Sequence, residues 1–501
     1  MCACCLEIGR RCIAIGSGKP TELAGMNFAR SDLIQVFRAC LLRSRAETVV
    51  EAKDFVVKTL GTCRVDSPLG PLLAARKRSI NNVDESDRVL FDDIASEAIA
   101  RGLAATELPG FEPAGPRKKI YFDPSKTRAG IVTCGGLCPG FNDVIRALVL
   151  ELSFRYGVKK IFGFRNGYQG FISRYGHPVM ELTPDLVGQI NEEGGTILGT
   201  SRGQQDPAEI TDCLEQLGIN LLFVIGGDGT LRGVMTISKE IAERGRKIAV
   251  VGIPKTIDND IMYIDQSFGF QTAFSVATES IRAAHAEAVS SPNGIGLVKL
   301  MGRHSGFIAC YAALAKNDAN FVLIPEVSFQ LQGPNGLLPA VQDRLKQRGH
   351  AVIVVAEGAG QSLIAECPKS TDASGNTKLA DIGLFLKQTI STHFANLGIE
   401  LNLKYIDPSY LIRSVPANPF DSVYCLRLAH NAVHAAMCGR TEMVVGRWHG
   451  RFVHVPIPLA IRERNQVDPN GDLWMSVLEA TGQPSSFNQE CAPELSVTGD
   501  N

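Results

Sequence analysis

"NLLFVIGGDGTLRGVMTISKEIAERGRKIAVVGIP", residues 220–254, reads as strand, glycine turn, helix and strand in immediate succession. Its two ends, "NLLFVIGG" and "KIAVVGIP", are apolar runs without polar alternation, the pattern of strands buried on both faces. Between them "VMTISKEIAERG" is helical and stops on a glycine. A strand that returns through a helix to a second buried strand makes a parallel pair. The glycines fall where the first strand ends and the helix begins, which is where open α/β sheets bind ligands.

The same alternation extends outward in both directions. Upstream, "RAGIVTCG" is a buried strand, followed by a Gly/Pro loop, the helix "NDVIRALVLELSFRYG" and the strand "KKIFGFRNG". "PDLVGQINEEG" and "PAEITDCLEQLG" are expected to be helical. Downstream, "GIGLVKLMG", "FIACYAALAKN", "NFVLIPEV", "LLPAVQDRLKQRG" and "HAVIVVAEGAG" continue it, and a helix, a hairpin ("MVVGRWHGRFVHVPI") and a final helix follow. These are too many strands for one mononucleotide-binding sheet. The expected fold class is α/β, with two Rossmann-like parallel-sheet domains carrying helices on both faces, plus an N-terminal accessory segment.

The Pro/Gly-rich "ELPGFEPAGPRKK" marks a boundary. Residues 1–115 are read as leader and accessory helical segment, with helical periodicity in "DLIQVFRACLLRSRAETVVEAKDFVV" and "FDDIASEAIARGLAA". Residues 116–270 are read as a nucleotide-binding domain and 271–460 as a sugar-phosphate-binding domain, the chain being free to cross between them. Residues 461–501 form a last helix and tail. "ECPKSTDASGNTKLAD" reads as a surface insertion.

Composition narrows the functions. A net charge of −1 over 501 residues offers no global field for nucleic acid or an anionic membrane, so anionic ligands need local cations. No run of about 18 apolar residues suggests a spanning helix. The 14 cysteines, many inside core elements, fit a reducing compartment. The opening "MCACCLEIGRRC" is read as a leader without chemistry, dispensable for catalysis.

Three glycine-rich turns carry the chemistry. In "TCGGLCPGFND" the glycines let backbone N–H groups approach phosphate at a helix start; Cys134 and Cys138, without a second pair, are packing thiols. In "VIGGDGTLRG", Asp228 sits among Gly226, Gly227 and Gly229, with Thr230 next. A carboxylate in a phosphate loop repels its ligand unless a cation lies between them, which points to Mg²⁺. "GIPKTIDNDI" brings Lys255, Thr256, Asp258 and Asp260 to a strand end. Phosphoryl transfer to an alcohol needs a base, a metal and cations on the moving group. Asp258 suits the base, Asp260 its orientation, Thr256 a phosphate oxygen and Lys255 charge neutralisation. An Asx-turn with exposed acids explains Asp258 alone, less well the cluster. Arg202, Arg303 and Arg413 stand at strand or element ends and suit phosphate; any one of them alone would pass for a surface ion pair. Glu357 ends another strand, while His285 and His304 are solitary and read as structural.

"GGLCPGFN", "GGTILGTSRG", "IGGDGT", "PKTIDND", "KLMGRHSGF" and "YIDPSYLIRS" occur in the order found in 6-phosphofructokinases, and over about residues 118–460 the chain resembles that family. It is most similar to the long ATP-using branch of plants and trypanosomatids. The resemblance implies transfer of a phosphoryl group from ATP, with Mg²⁺, to the 1-hydroxyl of fructose 6-phosphate. By position, Asp258 matches the proton acceptor and Asp228 the Mg²⁺ aspartate. Gly136, Arg202, Gly203, Gly227, Asp228, Gly229 and Thr230 match nucleotide contacts. Thr256, Ile257, Asp258, Met301, Gly302, Arg303, Glu357, Tyr410, Leu411, Ile412 and Arg413 match sugar-phosphate contacts. Lys404 stands where short bacterial members carry an arginine, a departure from the pattern at the 6-phosphate. The family implies a homotetramer; the compartment is read as cytoplasmic, or plastid if the leader is a transit segment.

Three rivals are weighed against that reading. A kinase of another family built on a GGDG turn is disfavoured by "MGR" and "YLIR", and a non-catalytic regulatory subunit of the same fold by the retained Asp258 and Asp260. The third is a pyrophosphate-dependent enzyme. In the family, pyrophosphate users pair Asp at the Gly229 position with lysine at 255, and short ATP users have glycine at both. Here Gly229 is ATP-like and Lys255 pyrophosphate-like; a glycine that leaves room beside the nucleotide favours ATP.

Overall fold

Of the 501 residues, the computed structural model describes residues 50–77, 81–93, 108–364 and 378–488. The leader, most of both expected N-terminal helices and most of the polar insertion lie outside them. The opening stretch folds as its pattern dictates: strands Leu221–Gly226 and Ala249–Pro254 pair in parallel along their full length, joined by the helix Asp228–Glu243. Every residue of both strands is buried. Their large apolar side chains each contribute about 1.5–3 kcal/mol on leaving water.

Among the described residues this pair lies at the middle of a nine-stranded sheet. Its order is Val89–Leu90, Gly110–Pro113, Arg451–Pro456, Met443–Trp448, Ala249–Pro254, Leu221–Gly226, Arg128–Thr133, Lys160–Phe164, Met180–Glu181. The five strands from Met443–Trp448 to Lys160–Phe164 are parallel, and antiparallel strands extend both edges. A second, wholly parallel sheet has the order Phe321–Leu323, His350–Ala356, Gly294–Leu300, Asn402–Ile406. The chain thus crosses back: the hairpin 443–456, expected within the second domain, 271–460, belongs to the first sheet. Described parts of residues 50–115 also contribute edge strands, besides the short helix Leu69–Ala75.

Helices Pro207–Leu217 and Asp228–Glu243 pack together beside the first sheet, and Phe141–Glu151 packs on Pro419–Met437. Helix Phe270–Val289 lies against the second sheet and helix Phe307–Lys316. One apolar core runs through both sheets, joining Ile131 and Val251 to Val298 and Val354; a second core, with Ile295, Leu297 and Ile353, covers the other face of the second sheet. The alternation of 295/297 against 298/300 along one strand is the period of two that separates them. No described helix is long and apolar enough to cross a membrane.

One expected helix is absent. "PDLVGQINEEG" forms turns and the short 3₁₀ segment Ile190–Glu192. The buried Asn142 fastens the end of this stretch and the chain just after it, donating to Glu193 O at 3.1 Å and accepting from Ile197 N at 3.0 Å. Gly188 and the Gly194–Gly195 pair weaken the helical alternative further.

Candidate active site

The C-terminal ends of strands from both sheets open into one cleft of about 800 Å³. Of the residues singled out in the sequence, it is lined by Gly136, Arg202, Gly203, Gly227, Asp228, Gly229, Thr230, Lys255, Thr256, Ile257, Asp258, Asp260, Met301, Arg303, Glu357, Tyr410 and Arg413. Gly302, Leu411 and Ile412 do not line it. Gly302 holds the turn behind Met301 at φ 126°, where a Cβ would meet Ser305 O at 2.5 Å. Residues 411–414 form one helical turn, so Tyr410 and Arg413, three apart, share the cleft side. Ile412 is turned into the core and Leu411 into solvent. Lys404 is exposed in mid-strand and is not among the lining residues.

Three cations meet at the Gly135–Gly136 turn. Lys255 Nζ donates to Gly136 O at 3.0 Å. A Cβ on Gly136 would stand 3.6 Å from Arg413 Nη1 and 3.8 Å from Arg202 Nη2, so both guanidinium groups lie against this turn. Lys255 is buried, which lowers its pKa, and its ammonium lies 5.8 Å over the Phe141 ring.

The acids differ in setting. Asp258 has one oxygen, Oδ1, shut from solvent with no hydrogen-bond partner, while the Arg303 amide donates to its carboxylate. Burial pushes this carboxyl up to about 7, and Asp260 and Glu357 push in the same direction. Asp260 is tied down instead: it accepts the Thr256 hydroxyl at 2.8 Å and pairs with Arg464 at 2.7 Å. Burial also raises Glu357, partly offset by Arg303. Asp228 heads the helix Asp228–Glu243; its Oδ1 is enclosed without a hydrogen bond, though Arg232 Nη2 stands 3.4 Å away, and as a carboxylate it can serve as an oxygen ligand to a hard cation. Among the described residues no three His, Cys, Asp or Glu side chains gather as a metal cage. Cys134 and Cys138 are buried, and burial drives both thiols up, Cys134 to about 12, so neither is a thiolate.

Sequence reasoning passed over Tyr168, Lys299, Asp407 and Arg464, which also line the cleft. Tyr168 donates to Thr230 O at 2.8 Å and braces the second glycine turn. Lys299 joins Asp407 at 2.8 Å and Asp381 at 3.2 Å. Lys299 is the one charged residue of the otherwise apolar strand Gly294–Leu300, next to the "MGR" turn, a signal that was readable. Arg464 had none, because no strand end or glycine turn surrounds it.

Comparison with known proteins settles the family. The Phosphofructokinase family model matches residues 128–436. The chain belongs to the phosphofructokinase family. It is 55% identical over 452 residues to an ATP-dependent 6-phosphofructokinase of Amycolatopsis methanolica, spanning 89% of this chain and 98% of that one. It is 52% identical over 377 residues to ATP-dependent 6-phosphofructokinase 7 of Arabidopsis thaliana, spanning 75% and 77%. A pyrophosphate-dependent phosphofructokinase structure from Marinobacter aquaeolei superposes with a TM-score of 0.59 at 18% identity, over 71% of this chain and 91% of that one, a likeness of fold. The family-matched residues contain all six motifs whole and most of the cleft.

Proposed function

We propose that this phosphofructokinase transfers the γ-phosphoryl group of ATP to the 1-hydroxyl of fructose 6-phosphate. The observation that carries the reading is the convergence of Lys255, Arg202 and Arg413 on the Gly135–Gly136 turn, in the same cleft as a carboxyl raised to about 7. Asp258 takes the hydroxyl proton while the new O–P bond forms and the bond to the leaving ADP oxygen breaks. Arg202 and Lys255 stabilise charge on the group in transit. Thr256 and Asp260 hold the turn that aims Asp258. Met301, Arg303, Glu357, Tyr410 and Arg413 bind the sugar phosphate, with guanidinium forks on phosphate. Gly136, Gly203 and the segment 227–230 bind the nucleotide, whose phosphates meet the N-terminus of the helix Asp228–Glu243. A Mg²⁺ that enters with ATP, held through Asp228, would offset phosphate charge.

A coupled assay with fructose 6-phosphate decides the donor: turnover with ATP well above that with pyrophosphate is expected, and the reverse order overturns the donor while leaving the sugar kinase. The homotetramer implied by resemblance is part of the proposal, and light scattering tests it.

A further inference from the structure

Arg464 enters the cleft from a segment outside all six motifs and beyond the family-matched residues, 128–436. Its guanidinium spans two carboxylates from different turns: Nη1 stands 2.7 Å from Asp260 Oδ2, and Nη2 stands 3.6 Å from Asp228 Oδ2. Two acids on one wall repel each other and an incoming phosphate; a planar cation between them offsets that repulsion and fixes Asp260 in direction. The other Asp260 oxygen accepts the Thr256 hydroxyl at 2.8 Å, and Thr256 Oγ1 accepts the Asp258 amide at 3.1 Å. Arg464, Asp260, Thr256 and the backbone of Asp258 therefore form one chain of hydrogen bonds.

The segment that carries Arg464 is fastened on two sides. Arg464 makes an antiparallel bridge with Ile261, and Asn465 donates from its backbone to Asp260 O at 3.0 Å and from its side chain to Asn259 O at 3.2 Å. The next two residues reach the second sheet's loops: Gln466 Nε2 donates to His304 O at 2.8 Å, and Val467 N to Glu326 Oε1 at 2.9 Å. The same Glu326 oxygen accepts Gly306 N at 2.9 Å. Residues 464–467 thus stitch the turn after Ala249–Pro254 to the loop after Gly294–Leu300. A side chain delivered by so anchored a backbone is pre-organised, unlike that of a surface ion pair. Arg232, which also reaches Asp228 at 3.4 Å, comes from the next helical turn with a largely exposed side chain, and the same nitrogen donates to Ile461 O at 3.3 Å.

Resting on the kinase reading above, we infer that Arg464 is a positioning residue for phosphoryl transfer, acting through Asp260 to hold the Thr256–Asp258 turn. The test is a double-mutant cycle on the full chain, using Arg464→Met, Asp260→Asn and the pair, with kcat, the KM of both substrates and thermal melting measured for each. Arg464→Met should lower kcat about tenfold to a hundredfold, as expected for loss of a charge-assisted contact, with the sugar KM changed less than about threefold. The double variant should be no worse than Asp260→Asn alone, because both changes remove the same support. Arg464→Lys should recover part of kcat, keeping the charge without the fork. Losses that multiply in the double variant, or a kcat within about twofold of the parent in Arg464→Met, overturn the inference. Should Arg464→Met fail to fold, Arg464→Lys takes its place in the cycle, and coupling to Asp260 is judged the same way. An unmodified chain without fructose 6-phosphate turnover overturns the kinase reading instead. The cycle is then run on ATP affinity by calorimetry, where coupled changes support the link between the two residues and independent ones overturn it.

Discussion

Asp258→Asn removes a proton acceptor while keeping side-chain shape, and the surroundings set the size of its effect. Burial holds the Asp258 carboxyl up at about 7, with Asp260 and Glu357 adding to it and the Arg303 amide and Lys255 opposing. Roughly half of the groups are then ionised at neutral pH, and a base of that strength takes an alcohol proton more readily than an ordinary aspartate. Loss of a general base costs about 10²- to 10⁴-fold. Asp258→Asn should lower kcat by about a hundredfold or more while the sugar KM changes far less.

Two pH readouts accompany that loss, with opposite signs. In the parent, kcat/KM should fall about tenfold per pH unit below about 7, because protonated Asp258 cannot accept, and the Asn variant should lack this limb. Stability runs the other way. A folded pKa raised above the unfolded one gives stability that is fully present below the unfolded pKa and lost as pH rises through the folded value, here about 7. Above it the enclosed carboxylate costs on the order of a few kcal/mol, a cost asparagine does not carry. The variant should therefore melt at least as high as the parent near pH 8, with a smaller advantage near pH 5. A coupled rate assay and melting curves across about pH 5 to 8.5 measure both. Near-parental turnover in a folded Asn variant, or an acid limb that survives the substitution, refutes the assignment and makes Asp260 the candidate base.

Gly229→Asp should abolish ATP use: no protein atom lies within 4 Å of a Cβ there, so the carboxylate would project into the cleft against phosphate charge, and retained ATP turnover would contradict the placement. Arg303→Ala and Arg413→Ala should raise the sugar KM about tenfold or more, whereas Arg202→Ala should lower kcat; an Arg202→Ala effect confined to the sugar KM would reverse the division. Lys299→Met leaves Asp381 and Asp407 without their shared cation, at 3.2 and 2.8 Å, and Asp407 begins the turn that leads to Tyr410 and Arg413. The expected outcome is a sugar KM raised about tenfold with kcat nearly kept, and an unchanged KM would show that the turn holds itself.

The parallel sheets were legible because buried strands such as 221–226 and 249–254 leave no alternative: a continuous apolar run between glycine and helix has one way to be covered. The return of 443–456 to the first sheet was not, since a hairpin pattern says nothing about which edge receives it. The 184–194 segment misled because its apolar spacing is helical, while the decisive groups, the amide of Asn142, lie some fifty residues away. At the cleft, motif residues carried by strand ends were placed together, because strand ends converge by construction. Leu411 and Ile412 were included only as members of a contiguous motif, and the helical turn separates them from Tyr410 and Arg413. Arg464 was missed for the converse reason: its role comes from a backbone docked between two loops, a tertiary fact with no local pattern.

The mixed pair at 229 and 255 resolves once the two positions are seen to act at different points. Lys255 reads in sequence as a flexible cation that can swing toward phosphate, yet its ammonium is buried, bonded to Gly136 O at 3.0 Å and set over the Phe141 ring. It stands at the Gly135–Gly136 turn where Arg202 and Arg413 also converge, and the role proposed for it is on the phosphoryl group in transit, which both donors possess. Gly229 lies in the first turn of the helix Asp228–Glu243, its carbonyl taken by Gln204 Nε2 at 2.6 Å and the space over its Cα open. Pyrophosphate gains nothing from that space, whereas a nucleotide has an α-phosphate and a nucleoside to place beyond the reacting group. The lysine is thus compatible with either donor and discriminates against neither. The open position at Gly229 is what a larger donor requires, and that asymmetry is why ATP is the donor proposed and why a single carboxylate at 229 should remove it.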